Sequence, residues 1–174
     1  MASGHNATGA KEPGRRRRAS GTRSPAERAA QEDLVKARRA GRRIALVSVF
    51  EADFGQRTAD AILERHLALE GDAEAAALAR TIVSGVVADR DSIDALIERL
   101  APRYPVVSLA RMDRSLLRSA ISEVLHSPAT PARVAIAEWV ELARTYSGDP
   151  MRRLMNGVLG RLSRDLATPQ AAPG

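Results

Sequence analysis

Residues 37–54 read ARRAGRRIALVSVFEADF, four arginines running into an apolar segment with no linker between them. Ile44, Val47, Phe50 and Phe54 recur at the spacing of one helical face. Arg38 and Arg42, and Arg39 and Arg43, stand four residues apart, so each pair shares a face of the same turn. Like charges at that spacing destabilise an isolated helix by about 0.2–0.5 kcal/mol per pair, so a polyanion is a reasonable explanation for them. Guanidinium groups grip phosphate in bidentate fashion and stack on bases, which suits unpaired RNA. Arg38, Arg39, Arg42 and Arg43 are therefore the candidate RNA-contacting residues, with a solvated charged face as the alternative. Phe50 joins them as a base-stacking candidate, although the stripe it shares with Val47 and Phe54 is a core pattern. Four phosphate contacts predict a slope near −3 in log affinity against log salt, from roughly −0.7 per contact on a single strand.

The whole chain has 174 residues, enough for one domain with appendages. It is 44% hydrophobic but only 3% aromatic, so its core rests on Leu, Ile, Val and Ala, a composition favouring helices over sheets. It contains no cysteine, which excludes disulfides, thiolate zinc sites and cysteine catalysis and agrees with a cytoplasmic location. No run of 18 apolar residues exists to span a membrane. Residues 1–43 hold 12 basic and 4 acidic residues, a net +8, whereas the remainder holds 15 basic and 17 acidic, a net −2. The positive charge thus belongs to one end and points to a polyanionic partner.

Residues 1–23 are Gly-, Ser-, Ala- and Arg-rich without apolar period and are read as a disordered basic tail. Arg15, Arg16, Arg17 and Arg18 in it are auxiliary polyanion contacts or a solubilising run, and no apolar segment follows them to make a secretory or twin-arginine signal. The domain is placed at 24–166, with a loose tail at 167–174. Ser24-Pro25-Ala26-Glu27 is a helix start with the residues of a capping box. That helix is expected to run towards Ala40, where Gly41 weakens it, before a second period opens at Ile44 and ends by Gly55. Thr58 caps the next helix, and residues 73–100 read as one long helical stretch. The prolines of APRYP break it, and Asp113 is the expected cap of a helix lined by Leu116, Leu117, Ala120, Ile121, Val124 and Leu125. Thr130-Pro131 and Asp149-Pro150 open two more, the first striped by Ile136, Trp139, Val140 and Ala143 and closed by Gly148. The reading is an all-α protein of about seven helices.

Charged groups on apolar faces need partners, and Arg118 is expected to form a structural ion pair with Glu138. Gly85 and Gly157 lie inside helical patterns and imply close helix approach, while Asn156 is expected to hydrogen-bond a neighbouring backbone. His5, His66 and His126 show no metal-ligand spacing, and no nucleophile accompanies a general base, so neither a metal, a cofactor nor a catalytic residue is assigned.

Four further stretches now read together with residues 37–54. They are IVSGVVADRDSIDALI (82–97), MDRSLLRSAISEVL (112–125), VAIAEWVELARTYSGD (134–149) and LMNGVLGRL (154–162). In this order they resemble the NusB family of bacterial transcription antitermination factors, over roughly residues 37–164. The sequence departs from the family pattern at Phe50 (often Tyr), Ala137 (usually Asn), Trp139 (a small residue), Leu154 (an aromatic) and Gly160 (an acidic residue). The resemblance implies a fold of two packed three-helix subdomains and a non-enzymatic RNA-binding role, with the arginine-rich stretch as the RNA-binding element. It implies pairing with NusE, a protein of the small ribosomal subunit, on the single-stranded boxA element of nascent ribosomal RNA leaders, and loading of an antitermination complex on RNA polymerase. The helices at 113–126 and 132–147 are the expected partner surface. Relatives include monomers and homodimers, so either state is open. Two rival readings are an RNA-recruiting accessory subunit of a ribosomal RNA methyltransferase, and a helical dimerisation module with a nonspecific polyanion-binding tail.

Overall fold

Ser24 opens the first helix, α1 (Pro25–Ala52). Its hydroxyl accepts the Glu27 N–H at 3.2 Å, and the Glu27 carboxylate accepts the Ser24 N–H at 2.6 Å. This reciprocal pairing satisfies two otherwise orphaned donors. The helix does not weaken at Ala40. It continues for 28 residues, and Gly41 sits buried within it. A Cβ at Gly41 would lie 2.5 Å from the Ala75 carbonyl oxygen. The glycine is there because α1 touches the backbone of α3 (Ala73–Ala88), and that packing offsets its propensity cost of about 1 kcal/mol. Arginines and apolar face therefore ride on a single rod.

The computed structural model describes residues 24–168. The expected disordered tail with Arg15–Arg18, and all but the first two residues of the expected C-terminal tail, lie outside them. Thr58 caps α2 (Ala59–Leu67) by accepting the Ala61 N–H at 3.3 Å. The stretch expected to be one helix from 73 to 100 is two, α3 and α4 (Arg90–Leu100), parted at Asp89. There the backbone turns to φ −115°, ψ 24°, and the Asp89 carboxylate meets the His126 ring at 2.9 Å. The break turns the chain so that Ile93 and Ile97 are buried in the core.

After Pro105 comes one 3-10 turn, Val106–Ser108, and then α5 (Arg111–His126). Ala110, not Asp113, holds the cap position, and Asp113 falls in the first turn, where it accepts the Ser147 hydroxyl. The last two helices are α6 (Ala132–Ser147) and α7 (Asp149–Ala167). Among the described residues there are seven α-helices, no strand, and no helix long and apolar enough to cross a membrane.

One group of helices is α1–α3 and the other is α4–α7, with α5 joining them through α1 and α3. Every residue of α5 from Ser115 to Glu123 is buried. Its expected role as a partner surface is corrected for that stretch: α5 is the central helix, covered on all sides from Ser115 to Glu123, and only its ends, 111–114 and 124–126, reach the surface. Leu46, Ile82, Ile93, Leu116, Leu117, Ile121, Met155 and Leu159 fill the core around it. Gly85 lets α3 approach α5, since a Cβ there would overlap the Ser122 hydroxyl and the His126 ring. Gly157 has nothing within 4 Å of a built Cβ, and Asn156 is exposed on α7, so neither meets its sequence expectation.

Candidate nucleic-acid interface

Four arginines on one rod do not all face the same way. At 100° per residue, Arg42 turns inward while Arg39 and Arg43 flank α6 and Arg38 flanks α3.

Arg42 is 2% exposed, and its Nε and Nη2 donate to the Glu123 carboxylate at 2.9 and 2.6 Å. The Trp139 indole N–H donates to the same carboxylate at 2.6 Å. A buried carboxylate with three donors and an adjacent guanidinium is both hydrogen-bonded and neutralised, the condition under which such a charge is tolerated. Arg42, expected at the RNA, is in this structure a buried structural cation. No local sequence signal marked it, since its partner Glu123 lies 81 residues away on a helix whose burial the fold decides.

Arg38 donates from Nε to Glu74 at 2.9 Å and is mostly covered. Arg39 is half exposed, and its Nε and Nη2 donate to the two oxygens of Glu138 at 2.8 and 2.9 Å. Arg43 is exposed and makes no ion pair or hydrogen bond among the described residues, although its charge reaches Glu138. The hydrogen bond from Arg39 holds the Glu138 carboxyl below the usual carboxylate range, against the upward pull of burial, and Arg39 itself is raised by the same bond. Arg39 and Arg43 with Glu138, Glu141, Leu142 and Thr145 line a groove of about 440 Å³ between α1 and α6. Its charged lining balances two guanidinium groups against two carboxylates, and Arg43 is the cation in it without an ion pair among the described residues, the group open to an anionic, hydrogen-bonding ligand.

Phe50 is half-buried and lies outside the lining of that groove. Its ring meets Phe54 edge-on at 5.3 Å, and the half-exposed Phe54 in turn carries the Arg111 guanidinium over its face at 4.6 Å.

The expected pair of Arg118 with Glu138 does not form. Arg118 binds Asp94 through two hydrogen bonds of 2.8 Å and reaches Asp53 at 3.2 Å. The Asp94 bond, helped by Asp53, raises its pKa against the lowering effect of burial. Asp53 also takes Arg114 at 2.5 Å and Arg90 at 3.2 Å, which ties the end of α1 to α4 and α5. The need of Arg118 for a carboxylate was legible, but the break at Asp89 brings Asp94 to it and leaves Glu138 to Arg39. His66 pairs with Glu51 at 3.0 Å, and the described residues hold no cluster of metal-ligating groups.

Seven helices with α5 at their centre, and with arginines of the first aimed at the sixth, define a class of all-helical protein with solved examples. NusB from T. maritima shares the fold at a TM-score of 0.68 and 29% identity, over 78% of this chain and 93% of that one. A chain from the structure of antitermination factors NusB and NusE in complex with dsRNA does so at 0.66 and 18% identity, over 75% and 98%, a likeness of fold. This chain belongs to the NusB family, whose model matches residues 39–164. The transcription antitermination protein NusB of Heliobacterium modesticaldum is 41% identical over 130 residues, 74% of this chain. The match spans 63% of that relative, just under two-thirds of its length.

Proposed function

We propose that this chain is a non-catalytic transcription antitermination factor of the cytoplasm. It binds boxA-type single-stranded RNA in nascent ribosomal RNA together with a NusE-like ribosomal protein, within an antitermination complex on RNA polymerase. The observation that carries this reading is the α1–α6 groove, where Arg43 offers an exposed guanidinium without an ion pair and Arg39 a half-exposed one. Family membership supports it, as do relatives named as transcription antitermination proteins and a neighbouring structure of NusB and NusE in complex with dsRNA.

The RNA-contacting set narrows from four arginines to two. Arg39 and Arg43 touch the strand, Arg38 borders it, and Arg42 keeps α1 seated so that the other two face the groove. Of the two helices expected to receive the protein partner, α6 presents the larger surface, because α5 is covered from Ser115 to Glu123. Anisotropy of a labelled boxA-type RNA, with and without the purified ribosomal partner, tests the proposal. Arg39→Ala with Arg43→Ala is expected to abolish most binding and leave helicity unchanged. Wild-type-like binding by that double variant overturns it.

A further inference from the structure

We propose that Glu138 is a built-in occupant of the phosphate site: its carboxylate holds the Arg39 fork until RNA arrives, and then passes to Arg42. This rests on the reading of the α1–α6 groove as the RNA site and adds the device that sets its affinity.

A carboxylate and a phosphate offer a guanidinium the same paired acceptor geometry. Both forked donors of Arg39, Nε and Nη2, are engaged by Glu138 at 2.8 and 2.9 Å. A phosphate cannot take that fork without displacing the carboxylate. The exchange is feasible because the Arg39 side chain is 53% exposed, and an ion pair so open to water is weak. Glu138 itself is only 20% exposed and cannot follow Arg39 outward, so on release it needs another cation. Arg42 supplies one. Its Nε and Nη2 are taken by Glu123, but its Nη1 stands 4.0 Å from Glu138 Oε2 and makes no other contact of hydrogen-bond length among the described residues. A shift of about 1 Å brings that distance to hydrogen-bonding length. The buried arginine thus acts on RNA binding through Glu138, as a positioning residue. Glu141 lines the same groove but is held by Arg144 of its own helix, so it makes a control of equal charge without a hold on α1.

The test uses the full chain and the labelled boxA-type RNA. Glu138→Gln is expected to bind about two- to fivefold tighter than wild type, the fold-change that corresponds to one exposed ion pair. Glu141→Gln should change affinity by less than about twofold. In an Arg39→Ala background, Glu138→Gln should give no gain. Glu138→Asp, one methylene too short to hold Arg39 but still charged, should also tighten binding. It gives the same readout if Glu138→Gln melts early. Weaker or unchanged binding by both Glu138 variants overturns the proposal. So does an equal gain from Glu141→Gln, or a gain that survives Arg39→Ala, either of which would make the effect one of bulk charge. Failure of the wild type to bind the RNA at all sinks the functional reading itself and is seen before any variant is made.

Discussion

Arg42 and Arg43 are neighbours in sequence with opposite fates. One is buried against Glu123 and Trp139, and the other stands in water beside the groove. Their substitutions should separate stability from binding. Glu123→Ala strands the Arg42 cation without its partner and is expected to destabilise the fold by about 3–5 kcal/mol. Arg43→Ala is expected to shift stability by no more than about 0.5 kcal/mol while weakening RNA binding. Urea denaturation beside anisotropy checks both, and comparable destabilisation by the two would refute the division of roles. At this scale the sequence identified the residue types and missed the division. Helical spacing places 38, 39, 42 and 43 on one broad face, and only the neighbours α3, α5 and α6 split that face into two bordering positions, a covered one and a free one. Trp139, standing where the family pattern has a small residue, lies in the core as a donor to Glu123.

Among the elements, the caps at Ser24 and Thr58 and the breaks at APRYP and Gly148 were legible, whereas the start of α5 and the corner at Asp89 were not. The capping box at Ser24 and the cap at Thr58 involve contacts within four residues, so sequence alone carries them. Gly41 and Asp89 depend on what lies across the interface. Gly41 looked like a helix end and proves to be a contact point, while Asp89 looked helical and proves to be a corner. The glycines yield a paired prediction. Gly41→Leu forces α1 off the Ala75 backbone and is expected to destabilise the protein by about 1–3 kcal/mol. Gly157→Ala, on α7 with open space around it, should stabilise the protein by about 0.5–1 kcal/mol. Thermal melting reads both, and destabilisation by Gly157→Ala would show that close packing against α7 had been overlooked.

For the whole molecule, the groove between α1 and α6 sets how strongly binding depends on salt. Two arginines facing one strand predict a slope near −1.4 in log affinity against log salt, in place of the −3 expected from four, at roughly −0.7 per phosphate. Titrating salt against the chain from residue 24 onward isolates this term from the basic residues before it, and a slope of about −2 or steeper would restore Arg38 or Arg42 to the strand. Fold class, the aliphatic core and the cationic end were all set by the sequence itself, because periodicity and charge density are local quantities that no neighbour alters. Which arginine is buried, which carboxylate holds Arg118 and which helix lies at the centre were decided only in three dimensions. Each depends on a contact between residues far apart in the chain, and a charge in a helical stripe has several such partners until packing leaves it one.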